Sequence, residues 1–101
     1  MMWVLRAAPR GDADSQTFRL TDGSIKTLGR ATRADFILDA PLVSRVHCRL
    51  TADISGQLVV EDLDSTNGTR LNGTRVTRGI AKAGDEIGIG EVTILVERHA
   101  R

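Results

Sequence analysis

The chain has 101 residues, enough for one domain with one hydrophobic core and not two. Hydrophobic residues make up 41% and charged residues 27%, and the formal net charge of +1 excludes bulk nucleic-acid binding through a clustered basic face. No apolar run is long enough to span a membrane, the N-terminus lacks the apolar core of a secretory signal, and a lone Cys48 excludes an intramolecular disulfide, so a cytoplasmic protein is expected.

Short apolar segments separated by turn residues recur along the whole sequence, which is the pattern of an all-β protein. Trp3 to Arg6 reads as a first strand and Pro9-Arg10-Gly11-Asp12 as the break after it. Thr17 to Leu20 and Ser24 to Leu28 flank Asp22-Gly23, a two-residue hairpin signal. Phe36-Ile37-Leu38 is a brief strand before a loop at Asp39-Ala40-Pro41. Val46 to Leu50 alternates apolar and polar, which predicts one buried and one wet face. Leu58-Val59-Val60 is another strand and enters the polar loop Asp64 to Gly68. Asn72-Gly73 predicts a second hairpin turn and Gly84-Asp85 a third. Glu91 to Glu97 closes the sheet with Val92, Ile94 and Val96 on one face. Residues 1–98 are expected to form a single domain, with 99–101 as a frayed tail. With only Trp3, Phe18 and Phe36 as aromatics, the core is expected to be aliphatic.

The residues with chemistry to offer fall between the strands. Arg30 and Arg45 carry guanidinium forks suited to a phosphate, and Ser44, Thr66 and Asn67 are neutral donors. Asn67 also has a carbonyl acceptor, so its side chain can pair with a peptide backbone. Catalysis is not expected: Ser44 lacks a Gly-x-Ser-x-Gly elbow, and the glycines form neither a P-loop nor a dinucleotide fingerprint. Asp62-x-Asp64 hints at a calcium loop, but Gly68 comes one place late and Gly73 stands where a bidentate Glu should close it. His47 and Cys48, as strand neighbours, would point to opposite faces and could not share an ion. No metal and no cofactor is expected, and Cys48 reads as a small core hydrophobe.

Gly29-Arg30, then Ser44-x-x-His47, then Ser65-Thr66-Asn67-Gly68-Thr69 with Asn72-Gly73, and finally Gly84-Asp85-Glu86-Ile87-x-x-Gly90 resemble the forkhead-associated (FHA) domain family in order and spacing. The resemblance runs from Trp3 to Glu97. It implies an FHA-like β-sandwich of two twisted, mostly antiparallel sheets with about eleven short strands and binding loops at one end. Those loops would recognise phosphothreonine in an extended peptide. Carried over, Arg30 would contact the phosphate, Ser44 and Thr66 would donate hydrogen bonds to it, and Asn67 would hold the peptide main chain. His47 would brace the Ser44 loop, Gly29 and Gly68 would serve turn geometry, and Asn72 would belong to the structural motif. Some family members have Asn after the binding Ser. Arg45 at that position would either add a phosphate contact or point outward as a solvated charge. Arg33 and Arg70 would favour an acidic residue downstream of the phosphothreonine. The implied role is phosphorylation-dependent protein–protein interaction in Ser/Thr kinase signalling, with a phosphothreonine-containing partner, an upstream kinase, no nucleic acid and no membrane insertion. The alternative is a phosphate-independent scaffold that docks partners on a sheet face, and the intact set of Arg30, Ser44, Thr66 and Asn67 favours the first.

Overall fold

The computed structural model describes residues 1–8 and 15–100. Among them, eleven strands follow one another: β1 (Met2–Ala8), β2 (Gln16–Thr21), β3 (Ser24–Gly29), β4 (Phe36–Ile37), β5 (Cys48–Ala52), β6 (Leu58–Asp62), β7 (Thr69–Leu71), β8 (Thr74–Val76), β9 (Arg78–Ala81), β10 (Glu86–Ile89) and β11 (Val92–His99). They make a six-stranded sheet in the order β2-β1-β11-β10-β7-β8 and a five-stranded sheet in the order β4-β3-β5-β6-β9. Every pairing is antiparallel except β3 with β4, which is parallel. The expected sandwich is therefore the observed one. The break expected at Pro9 to Asp12 lies outside the described residues.

Strand alternation decides what each sheet buries. On β11, Val92, Ile94 and Val96 are buried while Thr93 and Leu95 are exposed. On β5, Cys48, Leu50 and Ala52 point inward. Leu5, Leu20, Leu28, Leu58, Ile87 and Ile89 complete an almost wholly aliphatic interior, each such side chain contributing about 1.5–3 kcal/mol on removal from water. Phe18 and Phe36 stack with ring centroids 4.8 Å apart. Trp3 is buried beneath Arg98, whose guanidinium lies 4.6 Å from the ring centroid and forks onto both oxygens of Asp22 at 2.7 and 2.9 Å.

Four expectations about turns and boundaries need correction. Asp22-Gly23 does not close a hairpin, because β2 pairs with β1 whereas β3 pairs with β4 and β5. The turn instead carries the chain from one sheet to the other, with the Gly23 N–H donating to Ala52 O at 2.6 Å. Gly84-Asp85 likewise passes the chain from β9 to β10 across the sandwich, and the last hairpin turns at Gly90 and Glu91. Asn72-Gly73 does join paired strands, with φ of 53° and 85°, the mirror-image turn that matches strand twist. At the boundaries, the strand expected to include Val46 and His47 starts at Cys48, and His47 is fully buried instead of wet. His99, assigned to the tail, pairs with Met2.

The connections β3–β4 (residues 30–35), β4–β5 (38–47) and β6–β7 (63–68), with the β10–β11 turn, gather at one end of the sandwich. The β6–β7 connection leaves the five-stranded sheet and enters the six-stranded one.

Candidate functional site

Arg30, Ser44, Arg45, Thr66 and Asn67 line a single open cleft of about 490 Å³, together with Leu42 and Val43. Its lining holds two guanidinium groups and no carboxylate. The side chains of Arg30, Ser44 and Asn67 are held by bonds to backbone.

Arg30 follows the end of β3, where its N–H donates to Ser44 O at 2.9 Å and the next N–H, of Ala31, to Arg45 O at 3.0 Å. Its Nε donates to Val43 O at 3.1 Å. That bond pins the guanidinium and leaves both terminal nitrogens for a ligand. The two loops approach this closely only because residue 29 is glycine. A Cβ there would lie 2.1 Å from Arg45 O. Gly29 is thus required for contact between backbones and not, as expected, for turn geometry. Gly68 does serve a turn, at φ 84°.

Ser44 Oγ accepts the Thr66 N–H at 3.1 Å, so the loops bearing these two residues are tied at the cleft itself. Since the oxygen is the acceptor in that bond, its own O–H stays available to donate. Thr66 is exposed and lines the same cleft. Asn67 Nδ2 donates to Leu42 O at 3.1 Å, which leaves its second N–H and its carbonyl oxygen for other partners.

His47 lies underneath. Its Nδ1 accepts the Ser44 N–H at 3.0 Å, so the proton sits on Nε2, which donates to Gly68 O at 2.8 Å. The backbone of His47 adds bonds to Leu28 O and from the Leu63 N–H. One imidazole therefore joins the Ser44 loop to the Asn67 loop, and both ring nitrogens are occupied by backbone. Asn72 stands at the far end of β7, bonded to Glu86 through its N–H and its side-chain oxygen, and extends the ladder to β10. Arg70 spends its guanidinium on Gly90 O at 2.7 Å. Arg33 is exposed and is not among the residues lining the cleft.

Sequence reasoning missed Asp62 as a support. Its carboxylate accepts from Ser65 N, from Ser65 Oγ at 2.5 Å and from Thr69 Oγ1 at 2.7 Å. Ser65 Oγ in turn accepts the Gly68 N–H. Burial pushes the Asp62 carboxyl up, but the bonds from Ser65 and Thr69 and the nearby His47 prevail and hold it below the usual carboxylate range. The signal in the sequence was Asp62 three places before Ser65, a side-chain-to-backbone turn.

A family model described as FHA domain matches residues 26–90. The FHA domain-containing protein FhaA of Mycobacterium tuberculosis is 37% identical over 89 residues, which cover 87% of this chain and 16% of that protein. Glycogen accumulation regulator GarA of the same species is 33% identical over 92 residues, covering 91% of this chain and 56% of GarA. The chain thus spans only part of the curated relatives it matches. Among solved structures, one described as a structural and functional analysis of phosphothreonine-dependent FHA domain interactions superposes with a TM-score of 0.87 at 31% identity over 100% of both chains. The FhaA FHA domain complexed with the intracellular domain of Rv3910 gives 0.82 at 32% identity, covering 94% of this chain and 99% of the other. The chain belongs to the FHA domain family.

Proposed function

We propose that this chain is a phosphothreonine-peptide recognition module that mediates phosphorylation-dependent protein–protein interaction downstream of a Ser/Thr kinase. What carries the reading is the cleft of Arg30, Ser44, Arg45, Thr66 and Asn67, in which basic and neutral donors converge without a carboxylate. A phosphothreonine brings about −1.5 to −2 charges at neutral pH and three acceptor oxygens. The free ends of Arg30, the Ser44 O–H, the Thr66 hydroxyl and Arg45 can satisfy those oxygens, so the charge is not left without partners. Asn67 keeps one acceptor and one donor for the peptide main chain beside it. The relatives whose descriptions mention phosphothreonine-dependent interactions and a partner's intracellular domain support the same role.

An enzymatic reading fares worse. His47 meets the backbone N–H of Ser44 and not its hydroxyl, so no base is oriented on a nucleophile. A constitutive scaffold using a sheet face is the other reading.

Calorimetric titration tests the proposal with a degenerate phosphothreonine peptide pool, its unphosphorylated twin and the Arg30→Ala protein. Binding that needs both the phosphate and Arg30 is expected, and losing Arg30 should cost about 2–5 kcal/mol. Equal behaviour of the two pools would sink phosphate recognition and turn attention to the sheet faces.

A further inference from the structure

The five-stranded sheet ends in β4 on one side and β9 on the other, and among the described residues only the first edge is closed. The Leu38 N–H donates back to Gly29 O, so Ile37 is the β4 residue whose carbonyl faces outward. Gln16 Nε2 comes across from β2 and donates to it at 3.1 Å. A side chain seated on an edge carbonyl keeps foreign strands away. β9 has no such guard. It pairs with β6 alone, in the register Glu61 with Arg78, Val60 with Gly79 and Val59 with Ile80. Just before it the Asp62 N–H donates to Thr77 O at 2.9 Å, which makes those two a bonded pair. Bonded and non-bonded pairs alternate along an antiparallel ladder. Gly79 and Ala81 therefore turn their backbone groups to β6. Arg78 and Ile80 turn theirs to the open side, where no described residue bonds to them.

The side chains at this edge form the ends of two interrupted rows. Shortness and charge normally blunt an edge strand, and Arg78 fits that pattern, but Ile80 is 44% exposed. It ends a row of Ile25, Thr51, Val59 and Ile80 across the outer face of the sheet. The row beside it runs Thr27, Arg49, Glu61, Arg78. Arg49 Nε donates to Glu61 Oε1 at 3.2 Å, and Arg78 is the cross-strand neighbour of Glu61 on the other side. Charge therefore alternates plus, minus, plus and stops at the edge. No residue of β9 lines the phosphate cleft.

We propose that the open edge of β9 is a second docking site, which takes an extended, unphosphorylated segment of a partner protein as a sixth strand antiparallel to β9. The two rows set its chemistry. A Val or Ile opposite Ile80 continues the apolar row, and an Asp or Glu opposite Arg78 continues the alternation of charge. Because the incoming strand runs against β9, it reads Val/Ile-x-Asp/Glu. Its main chain bonds to the free N–H and C=O groups of Arg78 and Ile80, and its two side chains fix the register. A second copy of this chain fits less well. Pairing β9 with itself about Gly79 sets Arg78 against Ile80, and pairing about Ile80 sets Arg78 against Lys82, so neither register continues both rows.

The test is an NMR titration of the isotope-labelled chain with short unphosphorylated peptides of the pattern Val-x-Glu. The amide signals of Arg78 and Ile80 are expected to shift and to gain protection from exchange, while those of Arg30, Ser44 and Asn67 stay in place. Replacing the peptide's Glu by Lys should weaken binding about three- to tenfold, and Arg78→Glu should invert that preference. Methylating the peptide amide that faces Arg78 should abolish binding, whereas methylating the amide of the middle residue, which points away, should leave it unchanged. The methylated peptides probe the same bonds without altering the protein. Shifts confined to the cleft, equal tolerance of the two methylations, equal binding of the reversed pattern Glu-x-Val, or no shift at all each overturns the proposal. So do Arg78 and Ile80 signals that move with protein concentration in the absence of peptide, which would give the edge to a second copy. None of these results touches phosphothreonine recognition, which is read separately at the cleft.

Discussion

Asp62 touches no part of the cleft, yet Thr66 and Asn67 are placed by a loop whose first turn hangs on its carboxylate. Asp62→Asn would turn one acceptor oxygen into a donor facing the Ser65 N–H while Thr69 stays fully buried. The mismatch should cost about 1–3 kcal/mol at neutral pH, read from denaturant unfolding. The Asp62 pKa is depressed in the fold, so its contribution is present above the unfolded value of about 3.9 and is lost as pH falls through the lower folded one. The gap between wild type and variant should therefore close only in strong acid; a gap that closed near neutrality would mean another group controls the loop. Leu42, at a φ of 68°, offers the opposite case, because Leu42→Gly should gain up to about 1 kcal/mol by relieving the left-handed strain, net of the freedom glycine adds to the unfolded chain. Thermal unfolding checks it, and a loss of stability would show that the leucine packs rather than strains. The five side chains of the cleft were legible as a motif. Asp62 and Leu42 were not, because a residue's value as a brace or as a strained contact depends on what returns to it from elsewhere in the chain.

At the scale of elements, the connection β3–β4 and the connection β4–β5 touch through backbone, and glycine at the end of β3 is what lets them. Gly29→Ala drives a methyl into Arg45 O and the Val46 backbone. Since neither can swing aside like a side chain, a loss of about 1–3 kcal/mol in stability is expected. The Ser44 loop should shift with it, so phosphopeptide affinity, measured by calorimetry on the folded fraction, should fall as well. Stability lost with affinity kept would separate the loop contact from the cleft. Strand existence and face were well encoded, as the alternation in β5 and β11 shows. Turn partnership was not. Asn72-Gly73 and Asp22-Gly23 are similar signals, but the first joins paired strands and the second crosses the sandwich. Local chemistry bends the chain, and the choice of the neighbouring strand is made by burial and pairing far away in sequence.

For the whole molecule, the ligand's charge sets the working range. A phosphothreonine loses its second charge below about pH 6. Affinity is expected to weaken between about pH 7.5 and 5, and a flat profile in calorimetry would contradict recognition of the dianion. The cleft itself spans a boundary. Arg30, Ser44 and Arg45 belong to connections of the five-stranded sheet, whereas Asn67 and Gly68 lead into β7 of the six-stranded one. Away from the packed interior, His47, the Ser44–Thr66 bond and the Asn67–Leu42 bond fasten the two sheets here. A peptide held at once by Arg30 and Asn67 would be a further rivet across that seam, and the sandwich would then resist prising apart from its loop end as well as from within.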